Sequence, residues 1–253
     1  MLRVPRISVI GLCLVALLGS GHARSKPLQT YAIDVEGGQA TLIVTPSGQS
    51  LLIDTGWPGF NGRDADRIVA AAKTAGIKKI DYVLITHYHR DHVGGVPQLS
   101  ERMKIGTFVD HGPNLQDAEA PREDYAYLKV VANSHRIIVK PGDTIPLKGI
   151  KVQVLSAAGE HISEPLPGAG EANSYCGLDP EPPTDPGENA RSVGILIIYG
   201  QFRLIDLGDL TRKKSWNCSA PGIWSGRWAC LWFHIMDSQN PIPRQWSGLS
   251  TRG

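Results

Sequence analysis

Thr86–Gly95 reads THYHRDHVGG, and this stretch decides how the rest of the chain is read. His87, His89, Asp91 and His92 fall within six residues. Imidazole nitrogen and carboxylate oxygen are donors that borderline divalent cations such as zinc accept. The run before them, Tyr82–Ile85, is short and continuously apolar, as in a strand buried on both faces. The histidines therefore leave the end of a strand, where α/β folds place their sites. His87 and His89, two apart in extended chain, would point to one ion, and Asp91 and His92 would serve a second beside it. Gly94 and Gly95 let the backbone turn tightly and come close to its neighbours. A single histidine in such a loop would read as an incidental polar residue; a cluster this dense reads as a metal loop.

Outward from the loop, the pattern is strand-rich. Thr30–Val35, Ala40–Thr45 and Ser50–Asp54 carry branched residues between Gly and Pro-Ser-Gly turns, which predicts an antiparallel meander. Asp64–Ala75 predicts a helix, with Ile68, Val69, Ala72 and Ala75 on one face and Gly76 as its stop. Strand and helix alternate again through Ile105–Val109, Asp124–Ala132 and Ile137–Val139, and Ile150–Leu155 reads as a further strand. Residues 158–191 are polar and rich in Pro and Gly, too long for a plain connector, and read as a functional loop or insertion. Val193–Tyr199 and Phe202–Asp206 form a hairpin across Gly200-Gln201.

With 253 residues the chain can bury one sizeable core, and its net charge of +2 gives no electrostatic case for a nucleic-acid partner. Residues 1–23 have the form of a secretory signal: Arg3 and Arg6, the apolar run Ile7–Leu18, then small residues ending at Gly21 and Ala23. That run is too short for a comfortable membrane span, so no stable span is expected after cleavage, and the mature protein is expected outside the cytoplasm, secreted or periplasmic. Cys176, Cys218 and Cys230 then form no recognisable disulfide framework or zinc-binding pair.

THYHRDHVGG resembles the HxHxDH signature of the metallo-β-lactamase superfamily, and the likeness extends over about Thr30 to Thr211. Leu51–Gly56 (LLIDTG) is similar to that family's strand and turn before its first helix, which makes Asp54 a supporting residue behind the ligands. Leu204–Leu210 (LIDLGDL) resembles the strand ending in Gly-Asp that supplies a metal-bridging carboxylate, here Asp209. The opening DVEGGQATLIV, and Asn189–Ser192 before the hairpin, resemble the branch containing the hydrolase domain of the DNA-uptake competence protein ComEC. Other branches place a histidine where this chain has Asn189, so the first site would be completed by water, by Asn189, or by His111 or His161 from loops.

The resemblance implies a four-layer αβ/βα sandwich and a hydrolase. Its metals would be two zinc ions, or manganese or iron, on His87, His89, Asp91, His92 and Asp209, with Asp91 orienting the nucleophile or taking a proton. Cations so held make water reactive at neutral pH. The substrate would be a small molecule, an ester, lactone, amide or phosphodiester, among which the ligand set does not choose. A true β-lactamase fits the branch less well.

One family motif is missing, an apolar-Ser-His-His-Gly run after the Gly-Asp strand. His234 is the sole histidine beyond Asp209, and it stands in Phe-His-Ile-Met. The genetic code suggests why. Joining each codon's last base to the next codon's first two, Trp232-Phe233 must give Val and Met236-Asp237 must give Gly. Between them Ser, His and His are permitted. Five of the six tryptophans also lie from Trp216 onward, as out-of-frame GC-rich codons would produce. The domain is thus expected over 24–214, with 215–253 an out-of-frame tail and the sandwich incomplete on its C-terminal side. The alternative to the enzyme is a degenerate, weakly metal-binding form.

Overall fold

A computed structural model describes residues 26–114, 121–164, 166 and 186–211. The proposed signal, most of the 158–191 loop and the tail lie outside these residues. The elements run β1 (Gln29–Ala32), β2 (Thr41–Val44), β3 (Ser50–Ile53), α1 (Arg63–Thr74), β4 (Lys79–Leu84), α2 (Arg90–Val93), α3 (Val96–Arg102), β5 (Lys104–Asp110), α4 (Pro121–Val131), β6 (His135–Ile138), β7 (Thr144–Ile145), β8 (Lys151–Ala157), β9 (Glu160–His161), β10 (Gly194–Tyr199) and β11 (Phe202–Asp206).

The first sheet has the order β1-β2-β3-β4-β5-β6. Its first three strands form the expected antiparallel meander, and β3 through β6 pair in parallel. Parallel neighbours need a crossover between them, and α1, α3 and α4 supply it. The second sheet, β11-β10-β8-β7 with β9 beside β8, is antiparallel throughout.

Strand periodicity sorts the apolar side chains into layers. On β2 and β3, Leu42, Val44 and Leu52 face the helices, where they meet Ile68, Ala72, Val93, Leu99 and Tyr127. The alternate residues Ile43, Leu51 and Ile53 face the second sheet and pack on Val152, Val154, Ile195 and Ile197. Leu196 and Ile205, on the far side of that second sheet, join Leu155 and Ile162 in a smaller cluster. All four helices belong to the first cluster, so the layers visible among the described residues are helix, sheet and sheet.

The expected helix over Asp64–Ala75 forms as α1. Asp64 and Asp66 occupy its positive first turn, and Ile68 and Ala72 are buried. Gly76, at φ +73°, ends it: its N–H donates to the Lys73 carbonyl, and the Ile77 N–H reaches back to Ala72. Two short helices, α2 and α3, go beyond what the periodicity predicts. Among the described residues no helix is long and apolar enough to cross a membrane.

Candidate metal centre

The ligand loop hangs from the parallel strands β3, β4 and β5. Past the end of β4, the Ile85 N–H still donates to the Val109 carbonyl, so the chain stays in the sheet until Thr86. Asp54, directly after β3, bends back at φ +58°, a conformation that Asp tolerates better than most residues. Its buried carboxylate accepts from the Thr86 N–H (2.8 Å) and the Thr86 hydroxyl (2.6 Å). It also receives His92 Nδ1 at 2.7 Å. A histidine whose Nδ1–H is taken by a carboxylate presents its Nε2 lone pair outward. Asp54 thus stands behind His92, where the sequence expects a supporting residue.

Gly94 and Gly95 are required by close approach. A Cβ on Gly94 would stand 2.2 Å from the Arg90 carbonyl oxygen and 2.3 Å from Pro58 Cδ, and one on Gly95 2.1 Å from the Thr55 carbonyl oxygen. Thr55 clamps the loop from the other side, donating its N–H and its hydroxyl to the His92 carbonyl.

Of the five expected ligands, His87, His92 and Asp209 form one cluster, with His89 and Asp91 beside it. The ring of His87 lies 4.1 Å from that of His92 and 4.7 Å from that of His89, between centroids. His87 Nε2 and His89 Nδ1 face each other at 3.1 Å. His92 Nε2 is 3.4 Å from Asp209 Oδ1 and 3.8 Å from Asp91 Oδ2. The donor atoms of His87, His92 and Asp209 all lie within 4.8 Å of one another. His87 and His92 are buried, whereas Asp91 and Asp209 are partly open to solvent.

Electrostatics prepare the two buried histidines differently. Burial pushes His87 well below the ordinary histidine value, and the neighbouring His92, His89 and His111 push the same way. The shift favours the neutral imidazole. Burial also works against charge on His92, but Asp54 and Asp209 overcome it and hold that imidazole well above its ordinary value.

Asn189 opens the short 3-10 turn Asn189–Arg191, and its carboxamide lies against the His87 ring. Its Oδ1 is buried with no hydrogen-bond partner among the described residues. A divalent cation fits this set: two buried imidazoles and a carboxylate whose donor atoms lie within 4.8 Å of one another, with the amide of Asn189 beside His87.

The other two expected accessory histidines are not brought to the cluster. His161 sits exposed on β9, with its Nδ1 3.1 Å from the Ile162 carbonyl oxygen. His111 is buried, but its Nε2 meets Glu188 Oε1 at 2.8 Å and its ring packs on Tyr88. It acts as a strut behind His87. Three contributors carry no signal in the sequence pattern. Glu188, fully buried, receives His111 and the Tyr88 N–H (3.4 Å), tying the turn of Asn189 to the ligand loop. Gln39 and Asp206 meet beneath Asp209 at 2.5 Å. Gln39 lies in the DVEGGQ stretch, whose pattern gives no hint of this contact.

The family model described as the metallo-beta-lactamase superfamily matches residues 33–172. A hydroxyacylglutathione hydrolase of Xylella fastidiosa (strain M12) is 30% identical over 137 residues, 53% of this chain and 42% of that protein. The hydroxyacylglutathione hydrolase of Acidiphilium cryptum (strain JF-5) is 29% identical over 135 residues, 53% of this chain and 46% of that protein. The chain thus spans less than half the length of these curated relatives. Among solved structures, the metallo-beta-lactamase fold protein YhfI from Bacillus subtilis aligns with a TM-score of 0.45 at 15% identity, covering 73% of this chain and 63% of that one. The hydroxyacylglutathione hydrolases point to a branch other than the ComEC-like one that the opening stretch suggests. With the HxHxDH loop in place and the superfamily model matching over more than half of the chain, this chain belongs to the metallo-beta-lactamase superfamily.

Proposed function

We propose that the chain is an exported hydrolase that holds two divalent cations, zinc by preference, and cleaves small acyl esters, with thioesters the leading class. The observation that carries the metal reading is the convergence of His87, His92 and Asp209 donor atoms within 4.8 Å around a neutral, buried His87. His-rich mixed sites favour zinc, and manganese or iron are the alternatives. Bound there, a divalent cation supplies Lewis acidity, acidifying water and polarising a carbonyl oxygen.

The chain's own residues do the rest. His87 and His89 present adjacent ring nitrogens, Asp54 fixes the tautomer of His92, and Asp209 stands beside His92 Nε2. Asp91 is partly exposed at the rim of the cluster, which supports the reading that it orients a water or accepts its proton. The relatives' name supports the thioester class, since a hydroxyacylglutathione joins an acyl group to a thiol. Export rests on the signal-like residues 1–23.

A substrate panel tests this reading: an acyl-glutathione thioester, a simple aryl ester, a chromogenic cephalosporin, bis(p-nitrophenyl) phosphate and single-stranded DNA, each with and without added zinc. Zinc-dependent turnover highest on the thioester is expected. Preference for the phosphodiester or DNA would favour the competence-type branch instead, and turnover of the cephalosporin alone a β-lactamase.

A further inference from the structure

We propose that Gln39 and Asp206 are positioning residues whose mutual hydrogen bond holds Asp209 over the histidines and so sets the affinity of the cation shared by Asp91, His92 and Asp209. This inference rests on the metal-site reading above.

Gly38 brings the opening stretch against the ligand loop. Its backbone, at φ +70°, lies so close that a Cβ would stand 2.1 Å from the Asp91 carbonyl oxygen and 2.6 Å from Asp91 Cβ. The next residue, Gln39, is buried and bonded in three directions. Its N–H donates to the Asp91 carbonyl (3.2 Å), and its own carbonyl accepts from the Gly56 N–H (3.0 Å). Its side-chain Nε2 donates to Asp206 Oδ2 at 2.5 Å, across 167 residues of sequence. Gln39 is thus fixed to the Asp91 segment by its backbone and reaches the other sheet with its side chain.

Asp206 closes the circuit. Its second oxygen, Oδ1, accepts from the Gly208 N–H at 3.0 Å and so shapes the turn that carries Asp209. Gly208 itself, at φ +53°, seats that turn against Thr86, where a Cβ would lie 2.7 Å from Thr86 Cβ. Asp91 and His92 are neighbours on α2, which follows a strand of the first sheet, whereas Asp209 follows β11 of the second, and the Gln39–Asp206 bond links the two supports. A ligand from another sheet can be held to a fraction of an ångström only if something spans the gap, and supporting partners of this kind are worth about 10–100-fold in metal affinity.

The chemistry of the pair offers a reversible test. In Gln39→Glu two carboxylates would face each other. Combining it with Asp206→Asn restores a hydrogen bond of opposite direction, while the introduced asparagine keeps an oxygen for the Gly208 N–H. Zinc itself is titrated into chelator-stripped wild type, Gln39→Ala, Gln39→Glu and the Gln39→Glu/Asp206→Asn pair, against a competing chromogenic chelator. Urea denaturation of the stripped proteins runs alongside. The weaker of two zinc steps is expected to lose about 10–100-fold in both single variants, and the paired swap to recover most of it. Wild type that binds zinc, with both single variants binding equally well, overturns the proposal. So does loss of zinc affinity that tracks loss of stripped-protein stability and is not recovered by the swap, since the bond would then serve packing alone. A folded wild type that takes up no zinc removes the metal reading itself.

Discussion

His92 Nδ1 stands 2.7 Å from Asp54 Oδ2, and both side chains are buried. The contact joins the turn after β3 to the short helix α2 and directs His92 Nε2 toward Asp209. The same carboxylate holds Thr86, so one buried acid aligns the start and the end of the ligand loop. Asp54→Ala is expected to destabilise the metal-free protein by about 3–5 kcal/mol, because a buried pair loses one member. Asp54→Asn, which keeps the shape, is expected to lower zinc affinity by about 10–100-fold. Urea denaturation and zinc titration of the two variants check this.

Proton linkage gives a second expectation. In the metal-free protein the His92 value is raised above its unfolded one. Its contribution to stability is fully present below the ordinary histidine value, about 6.5, and is lost as pH rises through the raised folded value. Zinc held by His92 would compete with that proton, so zinc affinity should climb over the same alkaline window, with proton release. His87, held below its ordinary value, contributes stability that is lost as pH falls from about 6.5 through its depressed folded value. Asp206, pushed up to about 6 chiefly by burial, works in the opposite sense on the acid side, so the alkaline limb is the clean one. Urea midpoints of the stripped protein measured upward from pH 6.5 should fall, and His92→Asn should flatten the fall.

Two glycines separate strain from space. Gly48 is at φ +83°, and a Cβ there would meet nothing within 4 Å, whereas one on Gly38, at φ +70°, would meet the Asp91 backbone. Gly48→Ala should cost only the left-handed penalty, about 1–2 kcal/mol. Gly38→Ala should cost more and also weaken zinc binding, since Asp91 must move. Thermal unfolding and zinc titration of both variants decide it.

Glu188 gives a further stability test. Its carboxylate and the His111 ring are both fully buried and 2.8 Å apart. Glu188→Ala is expected to cost about 3–5 kcal/mol, and Glu188→Gln markedly less, because the amide oxygen still accepts from His111 and the Tyr88 N–H. Chemical denaturation of the two variants is the measurement.

Much of this is legible in the sequence where the cause is local. The apolar run before His87, the branched apolar runs of β2, β3 and β10, and the Gly76 stop each reflect a residue pattern or a backbone conformation that neighbouring residues determine. The four residues of α2 are too few to show any period, and it is held by Thr55 and Asp54 from elsewhere in the chain. His111 and His161 look alike as loop histidines; burial against Tyr88 and Glu188 separates them. Gln39 and Asp206 give no sign, because their meaning lies in a contact across 167 residues that neither segment's pattern contains.

Metal content tests the central claim most directly. Purified protein, dialysed free of loose ions, should carry close to two equivalents of divalent metal by elemental analysis. A chelator should remove them together with hydrolytic activity, and His87→Ala or His92→Ala should abolish tight binding. A folded protein that carries no bound metal after exposure to zinc, manganese or iron would contradict the account.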